Sequence, residues 1–167
     1  MPLENLYYIG ELVGVVALVV SVLYLAKQLK TSNDLNRTNT FRSIFQGFAS
    51  YCNEVFGPGN AELMVRAYRD IDSLSPSERM TFDMSMTNLL NYVEDSWASS
   101  RVELLQDVTM ENWSWWLCNR VFPSPGARAW WDQSKDIWPR EFQDWIDDQI
   151  RQSDPANDAY GIAGSRI

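Results

Sequence analysis

Histidine is absent from this chain of 167 residues. Its absence removes the Ser-His and Cys-His nucleophile pairs of hydrolases, the His-Glu-x-x-His zinc site and the Glu-x-x-His di-iron site of helical bundles. No catalytic, metal or nucleotide motif follows residue 30. The sequence therefore predicts no enzymatic activity and no cofactor. An enzyme that uses carboxylates alone stays open, although no pair of acidic residues is singled out by its spacing.

Cysteine and positive charge are also scarce. Cys52 and Cys118 lie far apart and share no C-x-x-C motif. In a reducing cytoplasm both are expected to be free thiols that pack as small apolar side chains. The 14 Lys and Arg residues stand against 22 Asp and Glu, which gives a net charge of −8. Because affinity for nucleic acid comes mostly from neutralising phosphates, DNA and RNA are not expected as partners.

Charge is almost missing from one long stretch, Leu6 to Ala26, where Glu11 is the only charged residue. A helix of roughly 20 residues crosses the hydrocarbon core of a bilayer, whereas apolar core helices are usually about 10 to 14 residues long. A cleavable signal would begin with basic residues and end at a small-x-small site, and this segment has neither. Residues 1–30 are therefore predicted to be one transmembrane anchor in the lipid bilayer.

The charges that flank the anchor predict its orientation. Lys27, Lys30, Arg37 and Arg42 follow the apolar stretch closely, whereas Glu4 is the only charge before it. Positive residues are retained on the cytoplasmic side of a membrane. The amino terminus is therefore expected outside and the carboxy-terminal domain in the cytoplasm.

Small residues line one face of the predicted anchor. Gly10 and Gly14 form a G-x-x-x-G motif, and Ala17 and Ser21 continue the same face. Such a face lets two helices approach closely and predicts a homo-oligomer or contact with another membrane protein, although glycine and alanine are common in membrane helices anyway. Glu11 is a candidate intramembrane proton or ion site; a carboxylate that reaches the headgroups is the favoured alternative.

Residues 31–152 are predicted to form an all-α domain, a bundle of about five or six helices. The sequence leaves open whether helix continues from the anchor or breaks at residues 31–33 with a new N-cap. A tail from residue 153 to 167 shows little periodicity and is expected to be mobile unless a neighbouring subunit orders it. The expected helices run over residues 41–56, 61–71, 76–106, 110–121, from 125 and from 139.

The clearest local signal is Ser75-Pro76-Ser77-Glu78, a capping box with proline at the first helical position. The helix that it opens carries Glu94, Trp97 and Arg101 on one face, a candidate ligand pocket inside the bundle. The favoured alternative is a paired or exposed set of charges, since buried charges are usually paired. The methionines at its start are expected to fill gaps in the core. The whole predicted stripe comprises Met80, Met84, Thr87, Leu90, Asn91, Glu94, Trp97, Arg101 and Leu104.

Seven of the eight tryptophans fall between residues 113 and 145. Such residues bind partners or cationic ligands in some proteins and rest on headgroups in others. More often they fill the core of a small domain, because each buries about 150 to 250 Å². The tryptophans are therefore predicted to be core residues.

The chain resembles an uncharacterised family of bacterial proteins with one N-terminal transmembrane helix and a helical cytoplasmic domain. The resemblance covers about residues 8 to 150 and implies an all-α protein of the bacterial inner membrane, with no known activity or site residues. It is carried by the order and rough spacing of Leu23-Tyr24-Leu25-Ala26-Lys27-Gln28, Leu74-Ser75-Pro76-Ser77-Glu78-Arg79, Trp130-Trp131 and Glu141-Phe142.

The sequence thus predicts a membrane-anchored assembly or interaction protein that self-associates through its transmembrane helix. Two alternatives stay open. One is a sensory or regulatory domain that binds a small ligand in an aromatic pocket, and the other is an ion- or proton-handling oligomer that uses Glu11.

Overall fold

The structure, a computed structural model, describes residues 3–57, 59–105 and 107–157. Within these ranges the chain is all-helical, as predicted, and contains no strand. The last ten residues of the predicted mobile tail lie outside the described residues. The six α-helices are α1 (Leu3–Val55), α2 (Ala61–Arg69), α3 (Pro76–Arg101), α4 (Asp107–Trp116), α5 (Pro125–Ser134) and α6 (Arg140–Gln152).

The chain forms two compact units, Met1–Asn39 and Thr40–Ile167. The described residues of the first unit all lie in α1, and this helix continues without a break through residues 31–33. This continuity follows from the sequence, since no proline or glycine lies between Lys30 and Arg42. By length and composition the helix is apolar enough to cross a membrane, and none of its most apolar 18-residue window is buried.

In the second unit, α2 buries the four residues that its periodicity predicts: Leu63, Met64, Ala67 and Tyr68. Asn60, a residue type that favours N-caps, stands at the N-cap position of α2, but its side chain does not cap the helix. The Asn60 amide nitrogen instead donates to the carbonyl oxygen of Glu54 at 3.1 Å. It therefore ties the start of α2 to the end of α1.

The predicted capping box opens α3. The Ser75 hydroxyl accepts from the backbone N–H of Glu78 at 3.4 Å, and the Glu78 carboxylate accepts from the Ser75 N–H at 2.9 Å. Arg66 of α2 also donates to this carboxylate. The Arg66 hydrogen bond, followed by those from Ser75, lowers the pKa of Glu78 to about 2.

The buried face of α3 differs from the predicted stripe, which shares only Leu90 with it. Met80 and Met84, expected in the core, are 69% and 54% exposed. The large apolar side chains of α3 lie mostly on a different face from the predicted stripe. Burying that face stabilises the fold more than burying a stripe that contains Thr, Asn and Glu. The buried face consists of Phe82, Ser85, Met86, Leu89, Leu90, Val93 and Ser96.

The core of the second unit is rich in aromatic rings, and Trp130, Trp131 and Trp138 are buried in it as predicted. Each buried indole N–H finds an acceptor, as burial requires. The Nε1 of Trp130 donates to Asp83 at 2.7 Å, and that of Trp131 donates to Asp147 at 2.7 Å. Burial is not general among the tryptophans, however, because Trp115 is 58% exposed and four others are half-buried.

Helices α2 and α5 touch through their backbones at Gly126. A Cβ atom on Gly126 would lie 1.9 Å from the carbonyl oxygen of Ala67 and 2.8 Å from that of Tyr68. Only glycine allows this approach, which brings Ala127 and Trp130 of α5 into the core.

Arg128 of α5 anchors the end of α6. Its Nε donates to the carbonyl of Phe122 at 2.5 Å, and one Nη donates to the Ser153 carbonyl at 3.1 Å and hydroxyl at 2.8 Å. Ser153, where the predicted tail begins, is buried.

Helix α4 begins at Asp107, three residues before its predicted start at residue 110. The preceding turn contains Glu103 in the left-handed region, with φ 58°. The chain then continues from Trp116 into one π-helical turn, Leu117–Val121, whose first and last residues are buried. The expected single helix is thus an α-helix followed by a wider turn.

Candidate functional site

The second unit contains an apolar cavity of about 250 Å³ between the end part of α1 and α4. It is partly open to solvent, because Phe41 and Phe45 on its edge are 50% and 60% exposed. Its lining residues are Phe41, Ile44, Phe45, Phe48, Leu105, Thr109, Asn112, Trp113 and Trp116.

Helical periodicity explains why these side chains meet. The four α1 residues stand at steps of three and four from residue 41 to residue 48, and the four α4 residues repeat that spacing from 109 to 116. Residues so spaced share one face of a helix. The cavity is therefore bounded by two matching stripes, and the buried residue Leu105 also lines it.

Aromatic rings fix the inner wall. The ring of Phe48 meets Trp113 edge to face, with centroids 4.9 Å apart and planes at 79°, and lies 5.8 Å from Trp116. The indole N–H of Trp113 donates to the hydroxyl of Ser96 on α3 at 2.9 Å. This hydrogen bond holds the indole in place, so the wall is preformed.

Among the described residues, two polar side chains line the cavity, Thr109 and Asn112. They stand one turn apart on α4, and no side-chain hydrogen bond joins either of them to another described residue. None of the described lining residues is charged. The site therefore combines an apolar, aromatic wall with one hydroxyl and one amide that have no partner in the described protein.

The pocket predicted around Glu94, Trp97 and Arg101 has a different form. Arg101 lies over the Trp97 ring, 4.7 Å from its centroid, and forms an ion pair with Glu141 of α6. Trp97 in turn packs on Phe142 at 5.6 Å. The tryptophan and the arginine are thus brought together and joined to α6.

Glu94 is not part of that cluster. No hydrogen bond or ion pair links it to Arg101 within the described chain. Burial, with a smaller contribution from the charge of Asp95, raises its pKa. Since seven residues separate the two charges along α3, they lie about two turns apart.

The small residues of α1 lie on an open surface. A Cβ atom at Gly10 or Gly14 would have no neighbour within 4 Å. The Ser21 hydroxyl donates to the carbonyl of Ala17 at 2.8 Å, so its hydrogen bond stays within the helix. Glu11 is exposed beside this face.

Neither thiol is set up as a nucleophile. Cys52 and Cys118 are half-buried and unbridged, and burial raises the pKa of both. Cys118 donates to the Gln149 carbonyl at 3.3 Å. Among the described residues, no three His, Cys, Asp or Glu side chains are grouped to hold a metal ion.

The sequence did not predict the cavity, although the residue spacing that forms its two walls is present in the sequence. The residue spacing that begins at Phe41 predicts one apolar helix face, and the tryptophans of α4 are predicted to fill the core. The matching spacing of the two stripes indicates which faces meet. It does not indicate that the rings leave a space between them.

Comparison of the chain with protein-family models, with curated proteins and with solved structures finds no match. The resemblance to a bacterial family of single-span proteins therefore stays a prediction.

Proposed function

We propose that this chain is a single-span protein of the bacterial inner membrane that self-associates through α1 and carries an interaction domain in the cytoplasm. One observation carries the proposal: the most apolar 18-residue window of α1 has none of its residues buried. A core helix of a soluble domain would bury such a surface, since apolar area is stabilised by about 25 cal/mol per Å² when it leaves water. Hydrocarbon is the environment that suits this helix.

The small-residue face supports self-association in particular. Gly10 and Gly14 have open space beside them, and the Ser21 hydroxyl is already satisfied by its own helix. Two copies can therefore bring their backbones close without leaving a polar group unpaired in lipid.

The experiment is the mass of the full chain in nanodiscs. Wild type is compared with the double variant Gly10→Leu, Gly14→Leu and with the matched double variant Val16→Leu, Val19→Leu on the opposite face. We expect a discrete oligomer in the wild type and in the valine variant, and a monomer in the glycine variant. A monomeric wild type, or equal dissociation of both variants, contradicts self-association through this face.

Membrane insertion and orientation are tested separately. Protein that stays with the membrane fraction at alkaline pH is integral. A cysteine at position 5, in a background without Cys52 and Cys118, should react with a membrane-impermeant maleimide in intact cells. Extraction at alkaline pH contradicts the anchor, and labelling only after lysis contradicts the proposed orientation.

A further inference from the structure

We propose that the cavity between the end of α1 and α4 binds a neutral small molecule, about the size of two fused aromatic rings, that carries one hydrogen-bonding group. All nine lining residues belong to the unit Thr40–Ile167. The proposal therefore does not depend on the membrane anchor or on self-association.

The volume of the cavity sets the size of the ligand. An engineered apolar cavity of about 150 Å³ in another protein stays dry and binds benzene, and sites for drug-sized molecules run from about 300 to 1,000 Å³. The present cavity, at about 250 Å³, lies between these two cases. It therefore fits a bicyclic ring better than a single ring or a large ligand.

The aromatic wall sets the shape of the ligand. Five of the nine lining residues are Phe or Trp. Phe48 and Trp113 already meet edge to face, and Trp113 meets Trp116 in the same way at 6.0 Å. A flat ring that enters the cavity extends this pattern with offset or edge-to-face contacts at 4.5 to about 7 Å, which a saturated chain does not.

The polar groups set the charge and the chemistry of the ligand. Because none of the described lining residues is charged, an ionised ligand would lose hydration without gaining a counter-charge from them. The Thr109 hydroxyl and the Asn112 amide, on one face of α4, can each pair with a hydroxyl or N–H group at the rim. A neutral ring with one such group satisfies both requirements.

The test is a calorimetric titration of the full chain in phosphatidylcholine nanodiscs with 1-naphthol, with empty nanodiscs titrated in parallel. We expect saturable binding above the empty-disc heat. Naphthalene-1-sulfonate, which has the same ring and a permanent charge, should bind about tenfold more weakly or not at all. Equal binding of the sulfonate would overturn the neutral-ligand assignment, and no saturable naphthol binding would overturn the site.

Variants locate the binding. Phe45→Ala removes an exposed wall residue and should weaken naphthol binding by about three- to tenfold. Phe56→Ala is the matched control, because Phe56 is 50% exposed and does not line the cavity. Circular dichroism checks that both variants are folded. Equal loss in the two variants, or in neither, places binding elsewhere and overturns the proposal.

The polar groups are tested with shape-conserving changes. The double variant Thr109→Val, Asn112→Leu should bind 1-naphthol several-fold more weakly and bind naphthalene unchanged. If 1-decanol binds as tightly as naphthol and loses the same affinity in Phe45→Ala, the occupant is an acyl chain, from a lipid or free, and the ring assignment is wrong.

Discussion

Replacing Gly126 with alanine tests how the second unit is packed. The added Cβ atom would lie 1.9 Å from the Ala67 carbonyl oxygen, whereas ordinary contacts of this kind begin near 3.4 Å. Helix α5 would therefore have to move away from α2 by about 1.5 Å. No rotamer change relieves the clash, because the atoms nearest to the added Cβ are the backbone carbonyl oxygens of Ala67 and Tyr68.

That displacement would loosen the core contacts of Ala127, Trp130 and Trp131, which are fully or almost fully buried. Overpacking of a core typically costs about 1 to 3 kcal/mol and sometimes more. Replacing glycine with alanine inside a helix stabilises the helix by only about 0.5 to 1 kcal/mol. With a clash this severe we take the upper end of the overpacking cost, about 3 kcal/mol, less a gain of about 1 kcal/mol, and expect the free energy of unfolding of Gly126→Ala to fall by about 2 kcal/mol.

The assay is urea unfolding of the full chain in nanodiscs, followed by tryptophan fluorescence. All eight tryptophans lie after residue 96, so the signal reports the second unit. Gly47→Ala is the matched control: the atoms nearest to its Cβ would belong to the side chain of Tyr92, at 2.7 Å, and that side chain can turn aside. Its stability should stay within about 1 kcal/mol of wild type.

A further substitution separates the backbone clash from side-chain crowding. Ala67→Gly should not rescue Gly126→Ala, because the obstructing atom is the carbonyl oxygen of residue 67 and not its side chain. Rescue by this change would refute the reasoning. A loss below about 1 kcal/mol in Gly126→Ala would refute it as well.

Two further predictions concern polar contacts. The lowered pKa of Glu78, to about 2, stabilises the fold above pH 4.5, and this contribution is lost as the pH falls from about 4.5 towards 2. Glu78→Gln should therefore flatten the decline in unfolding free energy over that range in acid titrations, and an unchanged decline would contradict this. Arg128→Met removes three hydrogen bonds to Phe122 and Ser153 and should cost about 2 to 3 kcal/mol in urea unfolding. Arg140→Met, at a 79% exposed side chain, should cost under about 0.5 kcal/mol, and equal costs would contradict the anchoring role of Arg128.

Local signals in the sequence were sufficient where one residue decides the structure. The capping box at Ser75 starts α3, and Pro125 is the first residue of α5, both as predicted. The apolar residues of α2 recur at helical spacing regularly enough to predict which of them are buried. These features depend on neighbours within about four residues along the chain.

Features that depend on distant residues were not predicted. In α3, two overlapping stripes compete, and the packing of α2 and α4 against one of them decides between them: Tyr68 of α2 meets Phe82, and Trp113 of α4 donates to Ser96. The end of α3 has no glycine or proline to mark it, because the turn is made by Glu103 in a left-handed conformation. The cavity is harder still, since periodicity indicates which faces meet but not how completely they fill the space between them.

The π-helical turn Leu117–Val121 holds one residue more than an α-helical turn would need. Because the wider turn absorbs this extra residue, deleting one residue from it would restore α-helical winding while the elements on either side keep nearly their present rotation about the helix axis. Deleting a residue from the regular part of α4 would instead rotate everything downstream by about 100°. Gly126 should therefore still face Ala67 after the first deletion and not after the second. Homologues that keep the fold should tolerate a change of one residue in chain length at this turn more readily than within α4.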